Sequence, residues 1–329
     1  MKKKIFQGCL IALALIAATA IGQAQQNSPQ ALSKVAISHP PVQTIADIGL
    51  YVAQSRGFFR EEGLDAQFVQ RGGNPAIAAA MAGEVQAVTS VASVIRAIEG
   101  GKSNVPFKVL SIGLKRPLYW LVAGPEYKSI ADLKGKVLGF ANLGIAPHEA
   151  AARLLRKGGL DPEKDVTVIV TQDPFQNLVS GAIQATSLSL PQVILARDKF
   201  KMNILASAVE EFLNLDSGIA VREDLLREKP DLIKRILRAL AKAHRYVLEN
   251  ERDSSELLAD WAKVELPVAL ESYRLARPIF TINGIPTEDE VREYLKTDAE
   301  AMGLPKPVPA DRIFDFSLQR EVNRELGIR

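Results

Sequence analysis

From residue 32 onward the chain alternates short apolar runs with stretches whose apolar positions recur at helical spacing. Val35-Ala36-Ile37-Ser38 reads as a strand ended by His39-Pro40-Pro41. Ile45, Ile48, Gly49, Val52 and Ala53 then line one face of a helix that stops near Arg56-Gly57. Phe58 to Leu64 turns into a strand from Asp65 to Val69. After Arg71-Gly72-Gly73, Asn74 is placed as an N-cap and Pro75 at the first helical position, with Gly83 as the stop. Ala87-Val88-Thr89 is a further strand, and Ser90 is expected to cap a helix through Ile98 that Gly100-Gly101 ends. Val105 to Gly113 and Leu118 to Ala123 are strand-like.

The alternation then repeats. Lys136 to Ala141 is a strand, followed by the loop Asn142-Leu143-Gly144-Ile145-Ala146 and a helix opened by Pro147 and closed by Gly158-Gly159. Val166 to Val170 is a strand, Asp173-Pro174 opens a short helix, and Ile183 to Leu190 is apolar and extended. From Pro230 the pattern is mostly helical. Leu232, Ile236, Leu237, Leu240 and Val247 form one stripe, and further helices start near Glu256, Pro267 and Thr287. Repeated strand–helix units predict an α/β fold with parallel strands, and 329 residues are long for one core, so two lobes are expected.

The N-terminus changes the charge picture. Lys2-Lys3-Lys4, an apolar stretch from Ile5 to Ala20 and Gly22-Gln23-Ala24 have the layout of a secretory signal peptide over residues 1–24, followed by a Gln/Ser-rich linker over 23–30. The formal net charge of +3 equals the three lysines of that segment, so the exported part is near neutral and has no basic face for nucleic acid. The single cysteine, Cys9, lies in the signal segment, where Phe6-Gln7-Gly8 does not match a lipidation site. Its loss with that segment removes thiolate catalysis and cysteine-held metals from consideration. No second apolar segment of spanning length follows.

No catalytic constellation, metal site or cofactor motif is legible. The three histidines, His39, His148 and His244, share no ligand spacing. His244, beside Lys242 and Arg245, and His148, beside Glu149, are expected on solvated helix faces, as are the carboxylate pairs Glu61-Glu62 and Glu210-Glu211. Nucleophile-elbow, phosphate-loop and dinucleotide motifs are absent. What recurs is a loop leading into a helix N-terminus at the end of each strand, where backbone amides can hold an anionic group. The candidate ligand-binding residues are therefore Ser38, His39, Gly73, Asn74, Ser90, Asn142 and Gly144. Arg116 is added as a cation between two strands, beside Lys115, and Ser187 and Ser189 as further hydroxyls.

Several runs are family-specific in combination. Gly57-Phe58-Phe59-Arg60-Glu61-Glu62-Gly63-Leu64, Gly83-Glu84-Val85-Gln86-Ala87 and Ile130-Ala131-Asp132-Leu133-Lys134-Gly135-Lys136 resemble the solute-binding proteins of ABC importers, in the nitrate/sulfonate/taurine branch with its thiamine-precursor binders. Leu160-Asp161-Pro162, the stretch from Gly181-Ala182-Ile183-Gln184-Ala185 to Pro191, and Gly218 to Arg222 also match. Gln184 departs from the acidic residue often found there.

The resemblance implies a two-lobed periplasmic-binding-protein-like (type II) α/β fold, with a mixed sheet flanked by helices in each lobe and a ligand cleft between them. Lobe 1 would be discontinuous, 32–115 plus 216–329, and lobe 2 would span 118–212. It further implies a monomeric, non-enzymatic periplasmic protein that closes on a small anionic solute of the sulfonate, nitrate or carboxylate type and delivers it to the permease and ATPase subunits of an inner-membrane importer. An exported ligand sensor, or a pyrimidine-precursor synthase-like enzyme on the same fold, are the alternatives.

Overall fold

The structure, a computed structural model, describes residues 31–101 and 105–329. The signal segment, Cys9 and the linker lie outside the described residues. Ser33–Arg329 forms one compact unit built on two five-stranded sheets.

The first sheet has the order β2-β1-β3-β10-β4, from β1 (Ser33–His39), β2 (Leu64–Gln70), β3 (Ala87–Val88), β4 (Phe107–Leu114) and β10 (Asp216–Arg222). The second has the order β7-β6-β8-β5-β9, from β5 (Trp120–Ala123), β6 (Val137–Phe140), β7 (Thr167–Val170), β8 (Ala185–Leu188) and β9 (Asn203–Ser207). In each, a parallel trio is joined to a strand that runs antiparallel to its neighbours, β10 in one and β5 in the other. Both of these strands enter through a crossover between the sheets, so the sheets are mixed and built alike.

One side-chain device is repeated with them. In Gly83-Glu84-Val85-Gln86 the Gln86 Oε1 accepts from the Ala36 amide of β1 at 2.8 Å while Nε2 donates to Gly83 O at 3.4 Å. In Gly181-Ala182-Ile183-Gln184 the Gln184 Oε1 accepts from the Val137 amide of β6 at 3.1 Å and Nε2 donates to Gly181 O at 3.3 Å. Each glutamine satisfies a backbone donor on the central strand of its parallel trio, immediately before the third strand begins. Gln184 is thus a structural tie, which explains why an amide serves at that position.

The helices are α1 (Ile48–Ser55), α2 (Phe58–Glu61), α3 (Gly73–Met81), α4 (Val91–Glu99), α5 (Ala146–Lys157), α6 (Pro174–Val179), α7 (Gln192–Asp198), α8 (Glu223–Glu228), α9 (Pro230–Glu249), α10 (Glu251–Ala262), α11 (Leu266–Ala276), α12 (Glu288–Ala301), α13 (Ala310–Ile313) and α14 (Ser317–Leu326). Thr287 closes a capping box with Glu290 at the start of α12, and Asp173 accepts from the Gln176 amide at the start of α6, as the residue types predict. Of the predicted α9 stripe, Ile236, Leu237 and Val247 are buried, and Leu232 and Leu240 pack at its margin.

Three local expectations are corrected. The run after Gly57 forms a helical turn, α2, before β2. Glu62 is not a solvated carboxylate: Arg238 and Lys242 of α9 bind it at 2.8 Å each. His244 does not face solvent; its Nε2 meets the Thr281 carbonyl and its ring stands edge-on to Phe280. Burial lowers its pKa, which keeps the ring neutral.

Candidate ligand-binding site

The loops that follow β1, β2 and β3 stack on one another. A Cβ built on Gly72 would lie 3.3 Å from Pro40 Cα and 3.4 Å from Ser90 Oγ. Gly73 has φ +62°, and a Cβ there would come within 3.0 Å of Ile145 Cγ2 and 3.9 Å of Ser93 Oγ. The glycine therefore serves two needs, a left-handed backbone and a close approach between the first-sheet loops and the loop after β6. On the far side, the Ile45 amide donates to Leu190 O at 3.3 Å, so the loop after β1 also touches the loop after β8.

The sequence-predicted residues are gathered in part. Ser38 and His39 are both buried, but successive strand residues point to opposite faces. Ser38 donates its hydroxyl to Arg71 O and ties the first two loops together. His39 stands edge-on to Phe68, with ring centroids 6.0 Å apart, and 6.3 Å from Trp261 of α10, which stacks on Tyr51. Its Nδ1 has no partner, and burial lowers its pKa, with the Pro40 backbone opposing.

Asn74 is exposed and does not cap its helix; Gly72 holds the N-cap position and Asn74 falls inside the first turn. Ser90 occupies the N-cap position of α4, yet its side chain makes no capping hydrogen bond. Both corrections have one cause: cap preference gives residue type, whereas the backbone entry angle decides which side chain can reach the free amides.

Around the second sheet, Asn142 and Gly144 are exposed, and the Gly144 amide is engaged by His148 Nδ1 at 3.2 Å. His148 is half-buried and edge-on to Phe140, contrary to the surface role expected for it. Ser187 and Ser189 are buried, and Ser187 Oγ has no partner. Arg116 is half-buried and makes no ion pair among the described residues, whereas its neighbour Lys115 binds Glu290 at 2.8 Å.

Four residues at these strand ends were not legible as site residues: Asp47, Thr89, Tyr119 and Asp216. Burial pushes the pKa of Asp47 up to about 7; the Asp216 carboxyl adds to the rise and the Thr89 hydroxyl opposes it. Burial likewise raises Asp216, against the amides of Ser217 and Ala92. Burial, Asp216 and Asp47 all raise the Tyr119 phenol. The available signal was weak: Asp47 sits among apolar positions of its turn, and helical spacing assigns it to the solvent side.

Beside the loops, a charged cluster joins helices from both sheets. Asp298 of α12 is almost fully buried and receives Arg96 of α4 through two hydrogen bonds, at 2.7 and 3.1 Å, and Arg153 of α5 at 2.6 Å. Arg96 also reaches Glu149 of α5 at 3.0 Å. Among the described residues, no group of three or more His, Cys, Asp or Glu side chains is arranged to hold a metal, and no helix is long and apolar enough to cross a membrane.

The family described as NMT1/THI5 like matches residues 45–254. A Bacillus subtilis (strain 168) protein, YtlA, provisionally named a binding protein, is 27% identical over 296 residues, covering 84% of this chain and 86% of its own. The riboflavin-binding protein RibY of Chloroflexus aurantiacus is 26% identical over 242 residues, covering 70% and 67%. Among solved structures, the alkanesulfonate-binding protein SsuA of Xanthomonas axonopodis pv. citri bound to MOPS has a TM-score of 0.71 at 15% identity, covering 86% of this chain and 98% of that one. That likeness shows the fold, the two-lobed arrangement of periplasmic binding proteins.

Proposed function

Because the chain belongs to the NMT1/THI5-like family, we propose that it is the substrate-binding component of an ABC importer, a non-enzymatic protein that captures a small solute by lobe closure. The observation that carries this reading is the meeting of glycine- and hydroxyl-bearing loops from two like-built sheets, with Gly73 against Ile145. The lobes are taken as 32–115 plus 216–329 and 118–212, with the crossovers as hinges. Ligand binding shifts the population toward the closed form, which the permease and ATPase subunits then recognise. The protein acts as a monomer in the periplasm, after removal of residues 1–24.

For the solute, the reading is a small anion of the sulfonate, nitrate or carboxylate type, supported by the half-buried Arg116, which has no ion-pair partner among the described residues. His39, Ser187 and the backbone at Gly73 supply further polar contacts, with Ser38, Asn74, Ser90, Asn142, Gly144 and Ser189 around them. The test is a thermal-shift screen of the chain from Gln25 against nitrate, bicarbonate, alkane- and arylsulfonates, aromatic carboxylates, pyrimidines and riboflavin. A ligand at about 100 times its Kd stabilises by about 2.7 kcal/mol, a rise of a few degrees. Arg116→Ala then separates the charge classes. A desolvated ion pair loses about 2 kcal/mol or more, whereas an affinity held within about threefold refutes the anionic head.

A further inference from the structure

The charged cluster of α4, α5 and α12 crosses from one lobe to the other. Glu149 and Arg153 lie one turn apart on α5 and so share a face of that helix. This face of lobe 2 meets Arg96 and Asp298 of lobe 1. Two ion pairs cross in opposite senses, Arg96 to Glu149 at 3.0 Å and Arg153 to Asp298 at 2.6 Å. The side chains are 16% exposed for each arginine, 27% for Glu149 and 1% for Asp298, so water and salt screen them less than surface pairs. The same helix follows the Gly144-Ile145 loop that Gly73 approaches, so one element carries both a candidate ligand loop and the charged face.

Each of these charges also keeps a stabilising neighbour within its own lobe. Asp298 holds Arg96 through two hydrogen bonds inside lobe 1, at 2.7 and 3.1 Å. In lobe 2 the Arg153 guanidinium lies 4.6 Å from the centre of the Phe212 ring. Glu149 sits in the first turn of α5, where the helix dipole favours a carboxylate. Parting the lobes therefore leaves no charge buried alone, which is what makes breaking a buried pair costly. The seam is also loosely filled. A cavity of about 320 Å3, its open mouth included, is lined by Ser93 and Arg96 of lobe 1, Gly144, Glu149 and Arg153 of lobe 2, and Asn214 of the crossover. Arg153 Nε and Asn214 Nδ2 are buried without partners, a deficit that a permanent interface would not keep.

We infer that Glu149 and Arg153 are positioning residues for solute capture: they clasp Arg96 and Asp298 as the lobes close, and so set the balance between closed and open forms without touching the solute. The inference rests on the lobe-closure reading and adds to it the residues that hold the closed form. Apparent affinity scales with the population of the binding-competent form, so the clasp tunes affinity for whatever solute the cleft accepts. A second pair between the lobes serves as a control. Arg197 meets Glu271 at 2.9 and 3.0 Å, but their side chains are 41% and 40% exposed, and a pair so solvated contributes little.

Distances between two spin labels, read by pulsed electron paramagnetic resonance, test this. The chain from Gln25 has no cysteine, so Glu163→Cys and Glu300→Cys place one label at an exposed position of each lobe. The labelled parent, Glu149→Gln, Arg153→Met, their combination and Glu271→Gln are measured alone and with nitrate, ethanesulfonate, benzoate or riboflavin. A parent that closes only on one of these compounds is compared with its variants at that compound. In the expected result Arg153→Met lowers the closed-to-open ratio about tenfold, and weakens any of these compounds that the parent binds by the same factor, through faster dissociation. Glu149→Gln lowers the ratio about threefold and Glu271→Gln less than about twofold. Thermal unfolding establishes that each variant is folded; if Arg153→Met is not, Glu149→Gln carries the comparison. Equal ratios in the parent and the clasp variants overturn the inference, mark the cluster as a fixed structural bridge and leave solute capture standing. A single distance that no variant and no compound alters overturns lobe closure, and this inference with it.

Discussion

Asp47→Asn should stabilise the protein by an amount that grows with pH. In an unfolded chain the carboxyl titrates at 3.8, and in the folded protein at about 7. Between these values the folded state binds a proton that the unfolded state has released, so stability falls as pH rises through the window and the loss is complete above the folded value. At 1.36 kcal/mol per tenfold, the ceiling is about 4 kcal/mol. Asparagine carries no titrating proton and so escapes this loss. Measured as the difference between variant and wild type, the gain should increase by about 2–3 kcal/mol from pH 5 to pH 8. For about 300 residues that is roughly 3–5 °C in the unfolding midpoint. Urea and thermal unfolding of both proteins at pH 5 and pH 8 supply the four values needed. The difference cancels the titrating groups that do not interact with Asp47, including Glu99, whose pKa burial and Asp298 raise to about 8. Parallel pH profiles, within about 0.5 kcal/mol, would refute the claim that Asp47 is buried without a compensating cation.

The charged cluster, the close loop contact and the repeated glutamines give three further predictions. Asp298→Asn leaves Arg96 and Arg153 facing a neutral group and should cost about 3–5 kcal/mol, read as a midpoint lowered by roughly 5–8 °C. No measurable loss would show that the cluster is solvated. Gly73→Ala combines a left-handed backbone with a 3.0 Å approach to Ile145, whereas Gly135→Ala, outside the candidate site, meets a similar φ with open space around it. Both should lose about 1 kcal/mol in urea unfolding, but only Gly73→Ala should also weaken solute binding; equal binding by the two variants counts against loop contact in closure. Gln86→Ala and Gln184→Ala each unpair a strand amide and should cost about 1–3 kcal/mol apiece; hydrogen exchange at Ala36 and Val137 reads whether the right amide has been freed.

Much of the fold was determined by the sequence alone, because periodicity and stop signals act locally. The strand–helix alternation, the glycine stops and the caps at Asp173 and Thr287 appear where residue types place them. The family runs extended this to two sheets of mixed strands. Local rules went wrong where a side chain's partner is distant in sequence. Glu62 has the composition of a solvated turn until α9 brings Arg238 and Lys242 to it. Asn74 has the composition of a cap until the helix starts two residues earlier, with Gly72 at the N-cap position. Ser38 and His39 were adjacent candidates, yet the strand sends them to opposite faces.

What only the tertiary structure decided is the character of the site. Loop composition pointed to amides and a cation; packing engaged the Gly144 amide with His148, left Asn74 and Asn142 in solvent, and left Ser187 Oγ buried without a partner. It also drew Asp47, Thr89, Tyr119 and Asp216 together from a turn, two strand ends and a crossover. No spacing rule links residues so far apart along the chain. Their common environment arises only when the parallel strands lie in register and their C-terminal ends share one edge. Burial then alters the chemistry of each group, since removing a carboxyl from water changes its pKa, its need for a donor and the ligand it can hold.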